Sequence, residues 1–196
     1  MLRRLLLTSL FLLASPALAE EKPATLPAEG KPELTLEKVP DSEEPRYVVR
    51  GVFSLPAKKV WKIVSDCAAY KDHMPRVVAS KLVSREDGDG PGKSVHVCEV
   101  KIGVPFPLSD LTGVTRAVHT ETDRQMSRVW KLEKGDYEFN EGSWEVTALE
   151  ENKALAVYKL HAKPKANVPA WMRKSAQQKA MVELFERVGK EAAKLP

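Results

Sequence analysis

The chain has 196 residues, 31 Lys+Arg against 27 Asp+Glu, and is 43% hydrophobic and 7% aromatic, the profile of one ordinary globular domain rather than a disordered or fibrous chain. Its formal charge of +4 includes Arg3 and Arg4, which lie in a segment predicted to be removed, so the remainder is close to neutral and no nucleic-acid partner is implied. A domain of this size can build its core without disulfides or metals.

Residues 1–4 form a short basic head, 5–13 an apolar run broken only by Thr8 and Ser9, and Ala17-Leu18-Ala19 a small-x-small cleavage signal. This predicts a secretory signal peptide over 1–19, cleaved after Ala19, because the apolar run is far short of the ~20 residues that cross a bilayer. No Cys follows the run to carry acyl chains. Asn140, Asn152 and Asn167 each lack the Ser or Thr two positions later that glycosylation needs, so the expected destination of the exported protein is a bacterial periplasm. There a bridge between Cys67 and Cys98 is chemically permitted, and a pair of buried free thiols is the equal alternative.

Residues 20–32, rich in Glu, Lys and Pro, read as a flexible leader, with the domain proper over 33–196. Alternation from Leu34 and a β-rich run at 46–53 predict an opening hairpin. Val60, Trp61, Val64 and Ser65 share a helical face after Pro56, and a helical turn follows before Met74-Pro75. From 77 to 160 the period becomes two, with runs at 77–85, 94–103, 111–119, 125–132, 137–149 and 154–162 and the strongest turn signal at 88–92. That pattern predicts an antiparallel meander. The chain closes with a helix to Lys194, Pro169 suiting its first turn, and Met172, Ala176, Ala180, Met181, Leu184, Phe185, Val188 and Ala192 on one side. The concave face of the meander is the one large surface on which that stripe can lie.

The fold class is therefore α+β: a hairpin, two short helices, a curved antiparallel sheet and a long C-terminal helix. At this point the residues resemble the START-like superfamily, which includes polyketide cyclases and coenzyme Q-binding proteins. The matching pieces are Val60-Trp61-Lys62-Ile63-Val64-Ser65-Asp66 with Tyr70 and Met74-Pro75, then Pro105-Phe106-Pro107-Leu108-Ser109-Asp110, Gly142-Ser143-Trp144, Tyr158, and Val168-Pro169-Ala170-Trp171-Met172. The resemblance covers nearly the whole mature chain and implies a helix-grip fold, with the sheet wrapped around the C-terminal helix and an apolar cavity between them for lipids, sterols, quinones, polyketides or plant hormones.

Strand parity supplies lining candidates. His96, Cys98, Val100 and Ile102 share a face free of the charges of Glu99 and Lys101, so they point inward, and by the same rule Trp130, Leu132, Trp144, Val146 and Ala148 point inward. The resemblance adds Ala154, Ala156, Tyr158 and Leu160. With Trp171, Met172, Met181 and Phe185 of the last helix, the ligand-binding set is His96, Cys98, Val100, Trp130, Trp144, Tyr158, Trp171, Met172, Met181 and Phe185. The four histidines show no metal spacing and no phosphate loop or nucleophile elbow is present, so no catalytic residue, metal or cofactor is expected. His96, Arg128 and Tyr158 are the groups from which acid–base chemistry would have to come.

Between 152 and 182 stand seven Lys/Arg and no acid. As a solvated rim this run is unremarkable. The sharper reading is that Lys163, Lys165, Arg173 and Lys174, beside Trp171 and Met172, dock transiently on an anionic membrane surface. The sequence thus reads as an exported binder of a hydrophobic small molecule, carrying or shielding it. A cyclase or dehydratase acting on a polyketide-like substrate, and an interaction module with a collapsed cavity, are the alternatives.

Overall fold

A computed structural model describes residues 25–104 and 108–196. The predicted signal peptide and the Pro105-Phe106-Pro107 motif lie outside the described residues. The elements in chain order are β1 (Glu33–Glu37), β2 (Arg46–Phe53), α1 (Ala57–Ser65), a 3₁₀ turn (Cys67–Ala69), α2 (Tyr70–His73), β3 (Val77–Asp87), β4 (Lys93–Ile102), β5 (Leu111–Glu121), β6 (Gln125–Gly135), β7 (Tyr137–Glu150), β8 (Lys153–Pro164) and α3 (Ala170–Ala193). The strands form one curved antiparallel sheet in the order β1-β2-β8-β7-β6-β5-β4-β3, and the helices cover its inner face. This is the helix-grip architecture expected from the sequence.

The local chemistry explains the breaks. Pro56 stands at the N-cap of α1, where its missing N–H costs nothing. Asp66 ends that helix and opens the 3₁₀ turn, its carboxylate accepting from the Ala68 N–H at 3.1 Å. A disulfide between Cys67 and Cys98 then ties this turn to β4, which resolves the two cysteines in favour of the bridge. The stretch predicted as a loose leader is fastened where described: the Gly30 N–H donates to the Val52 carbonyl at 3.2 Å, and the Glu29 carboxylate accepts from Ser54 Oγ at 2.7 Å and pairs with Lys153 at 2.6 Å.

Two glycines let the layers meet. A Cβ on Gly51 would stand 2.8 Å from the Phe185 ring, and one on Gly142 would stand 2.2 Å from the Lys159 carbonyl and 2.5 Å from the Trp130 ring. Their hydrogens are what allow α3 to seat on β2 and the Trp130 indole to lie across β7. The C-terminal half of α3 is firmly held. Met181, Phe185, Val188 and Ala192 are buried, Glu191 is ringed by His73, Arg187 and Lys194, and Lys59 Nζ donates to the Leu195 carbonyl at 2.7 Å.

The N-terminal half differs from the expectation. Met172 and Ala176, placed on the buried stripe by periodicity, are exposed, and Trp171 retains 69% of its accessible surface. The sheet covers the helix only from about Ala180 onward. One ion pair holds the first turn, Arg173 to Glu44, with both side chains nearly buried. Arg173 also donates to the Val168 carbonyl.

Candidate functional site

Antiparallel register builds the inner face row by row. Ser94, His119, Arg128, Trp144, Tyr158 and Val49 stand opposite one another across six strands, and the next row is His96, Ala117, Trp130, Gly142, Leu160 and Tyr47. Each row carries side chains on one face only, because residues directly opposite share a side of the pleat. The two rows place a polar cluster beside an aromatic one.

The aromatic cluster fills the space under α3. Trp144 lies 4.5 Å from Tyr158 and 5.3 Å from Phe185 between ring centroids, and Trp130 stacks on Tyr158 at 5.8 Å. The Trp130 indole N–H is satisfied by Asn140 Oδ1 at 3.0 Å. The resemblance implied an open apolar cavity here, and the rings occupy that space. Among the described residues the two best-formed hollows are instead surface depressions, one of about 400 Å³ beside Lys58, Arg124 and Glu150, the other of about 250 Å³ between Gly51, Phe53, Phe185 and Gly189.

In the polar cluster His96 and His119 lie tilted against each other at 31°, ring centroids 3.9 Å apart, with Trp61 edge-on to His119 at 5.6 Å. Ser94 Oγ is 3.1 Å from His96 Nε2. Burial, reinforced by the His96 imidazole and the Arg128 guanidinium, pushes His119 down to about 3, and burial with Arg85 and Arg128 lowers His96 as well. Both rings are neutral near pH 7. Burial likewise raises the phenols of Tyr70 and Tyr158, and that of Tyr47 to about 12. Arg128 is the charged member, 4% exposed, its guanidinium 5.0 Å from the Trp130 ring centroid and 5.7 Å from that of Tyr70.

Eight of the ten predicted lining residues belong to this cluster or pack against it: His96, Cys98, Val100, Trp130, Trp144, Tyr158, Met181 and Phe185. Cys98 needs one correction, since its sulfur is bonded to Cys67 and fully buried, which makes it a brace for the site. Val100 is half-buried toward the end of the sheet where β4 stops, together with Ile102, Leu132 and Leu160. Trp171 and Met172 stand outside the cluster, on the exposed first turn of α3. Register places that turn at the same end, because β8 ends there opposite Tyr137 and the Lys165 N–H donates to the Asp136 carbonyl at 2.9 Å. His119 was missed, although it shares parity with Ala117. Arg128 shares parity with Trp130, so the same rule reaches it.

The basic run is largely neutralised across strands. Lys153 pairs with Glu29, Lys159 with Glu145 at 3.4 Å and Lys163 with Glu138 at 2.8 Å. Arg173 is committed to Glu44 and Lys165 Nζ to the Gly135 carbonyl. Of the four predicted docking residues, Lys163 and Arg173 are therefore held by acids, while Lys165 and Lys174 are exposed without an acidic partner among the described residues. On the outer face, Ser42 Oγ lies 3.0 Å from His161 Nε2, whose Nδ1 is 3.4 Å from Glu141, a spacing resembling a nucleophile–base–acid relay. The Ser42 hydroxyl donates to the Glu44 carbonyl and accepts the Glu44 N–H, so it braces a turn.

No curated protein matches the chain by sequence. Among solved structures it is similar to the STAR-related lipid transfer protein of Xanthomonas axonopodis, fragment 25–204, at 17% identity and TM-score 0.70, over 87% of this chain and 97% of that one. It is similar to human StAR-related lipid transfer protein 5 at 12% identity and TM-score 0.68, over 86% of each chain. It is also similar to the Zhui aromatase/cyclase of Streptomyces sp. R1128, at 17% identity and TM-score 0.59, over 76% of this chain and 93% of that one. At such identities these likenesses speak for the fold. The family model described as polyketide cyclase / dehydrase and lipid transport matches residues 53–188, from the end of β2 to the last buried turns of α3. With that span and this architecture, the chain belongs to the polyketide cyclase / dehydrase and lipid transport family.

Proposed function

We propose that the protein binds a hydrophobic small molecule, a lipid, quinone or sterol-like compound, at the open end of the grip and carries or shields it in the periplasm. The observation that carries this reading is apolar surface left uncovered on both partners at one end: Trp171 and Met172 on α3, and the half-buried Val100, Ile102, Leu132 and Leu160 on the sheet. A soluble chain leaves such surface bare where something else covers it. The names of the structural relatives, two lipid transfer proteins and an aromatase/cyclase, are consistent with a bulky apolar ligand. The signal-peptide pattern and the Cys67–Cys98 bridge both support an oxidising, exported location. Trp171 and Met172, with Lys165 and Lys174 beside them, dock the open end on an anionic lipid surface while cargo exchanges.

One experiment addresses loading and docking together. Titration with the uncharged probe N-phenyl-1-naphthylamine is expected to saturate at about one molecule per chain, with tryptophan emission falling as energy passes to the probe. Anionic vesicles are expected to withdraw the probe rapidly, and Lys165→Glu combined with Lys174→Glu to slow withdrawal without changing loading. Absence of saturable binding overturns the reading.

A further inference from the structure

Arg128 presents the sharpest unanswered demand in the molecule. It is 4% exposed, its Nε has no hydrogen-bond partner, and among the described residues no acid forms an ion pair with it. The faces of Trp130 and Tyr70 compensate only part of the cost of taking a guanidinium out of water. Directly opposite Arg128 in the register is His119, 1% exposed, whose Nε2 is also buried without a partner. Asp66 and Glu121 do not supply the missing charge: the Asp66 carboxylate caps the 3₁₀ turn, and Glu121 is exposed at the end of β5. Among the described residues, one row of the inner face therefore presents a buried cation without an acidic partner and an orphaned imidazole nitrogen.

We propose that Arg128, with His119 beside it, receives the carboxylate end of an apolar ligand. The assignment rests on the reading that the grip binds a hydrophobic molecule, and it names which class. A guanidinium presents parallel N–H donors that match a carboxylate in a two-pronged pair. A carboxylate's single negative charge balances this single cation. Trp130 and Tyr70 flank the guanidinium and Leu132, Leu160 and Val100 continue toward the open end, so the ligand's apolar body would lie along them with its acid group innermost.

The test compares cis-parinaric acid with its methyl ester, by probe fluorescence, on the mature disulfide-bonded protein and on Arg128→Gln. The wild type is expected to bind the acid at least tenfold more tightly than the ester. Arg128→Gln is expected to abolish that preference. Equal affinities in the wild type overturn the proposal and leave the hydrophobic-ligand reading intact, as does a preference that survives in Arg128→Gln. Failure of both probes to bind overturns both. Should Arg128→Gln not fold, carbon NMR of [1-¹³C]palmitate bound to the wild type decides: a carboxyl ionised to at least one pH unit below that of the ester-free detergent-bound acid supports the assignment, and an unshifted or raised titration overturns it.

Discussion

His119 is held between Trp61, His96 and the row that contains Arg128, and its neutrality has a measurable consequence. In the unfolded chain the imidazole titrates near 6.5, and in the folded protein near 3. Between those values the unfolded state binds a proton that the native state does not, so the stability contributed by the neutral ring is complete above pH 6.5 and is lost as pH falls toward 3. Urea unfolding between pH 7 and pH 5 should show stability falling with a slope approaching ~1.4 kcal/mol per pH unit from this group. His119→Gln should flatten that slope, and an unchanged slope would place the linkage elsewhere. His96 shifts in the same direction and adds to the effect. At this scale the alternation of strand residues was informative. The parity that placed Trp130 inward also places Arg128 inward, yet a charged residue at a core position reads against the pattern until the register shows what surrounds it.

At the scale of elements, the Cys67–Cys98 bridge and α3 set the geometry. The bridge closes a separation of 31 residues that includes the 3₁₀ turn, α2 and β3. Chain-entropy arguments give it about 3–4 kcal/mol. Cys67→Ala with Cys98→Ala should lower the unfolding free energy by roughly that amount in a urea titration and loosen the wall of the polar cluster, whereas a loss under about 1 kcal/mol would show that packing alone holds the turn. The strands were legible because period-two alternation between turn residues recurs along this stretch, although register shifts interrupt the β3–β4, β5–β6 and β7–β8 ladders, and the last helix because its apolar period is 3.6. The limit of helix burial was not legible. A periodic stripe says which side of α3 is apolar, whereas the surface beneath it stops near Ala180, leaving Met172 and Ala176 bare. The pairing of the two cysteines depends on bringing the 3₁₀ turn against β4, a contact no spacing encodes.

At the scale of the whole molecule, the sequence's most conspicuous charge feature changes meaning on folding. The acid-free stretch from Lys153 to Lys179 lies beside acids contributed by Glu29, Glu44, Glu138 and Glu145, so a run that is basic along the chain is mixed in space. Only Lys165, Lys174 and Lys179 extend from it without an acidic partner among the described residues. The interior likewise depends on assembly: four aromatic residues from β6, β7, β8 and α3 converge as a stack, which parity predicts, and fill the space, which parity does not. What is left open is one end, where α3 begins under the hold of Glu44 on Arg173. The central claim is that this end takes up an apolar molecule. Mass spectrometry of organic extracts of the natively purified protein, beside the same protein unfolded, washed and refolded, tests it most directly. The account predicts one class of apolar compound in near-stoichiometric amount from the native sample and none from the refolded one. A native sample that is monodisperse and yields no apolar compound above the refolded control would contradict it.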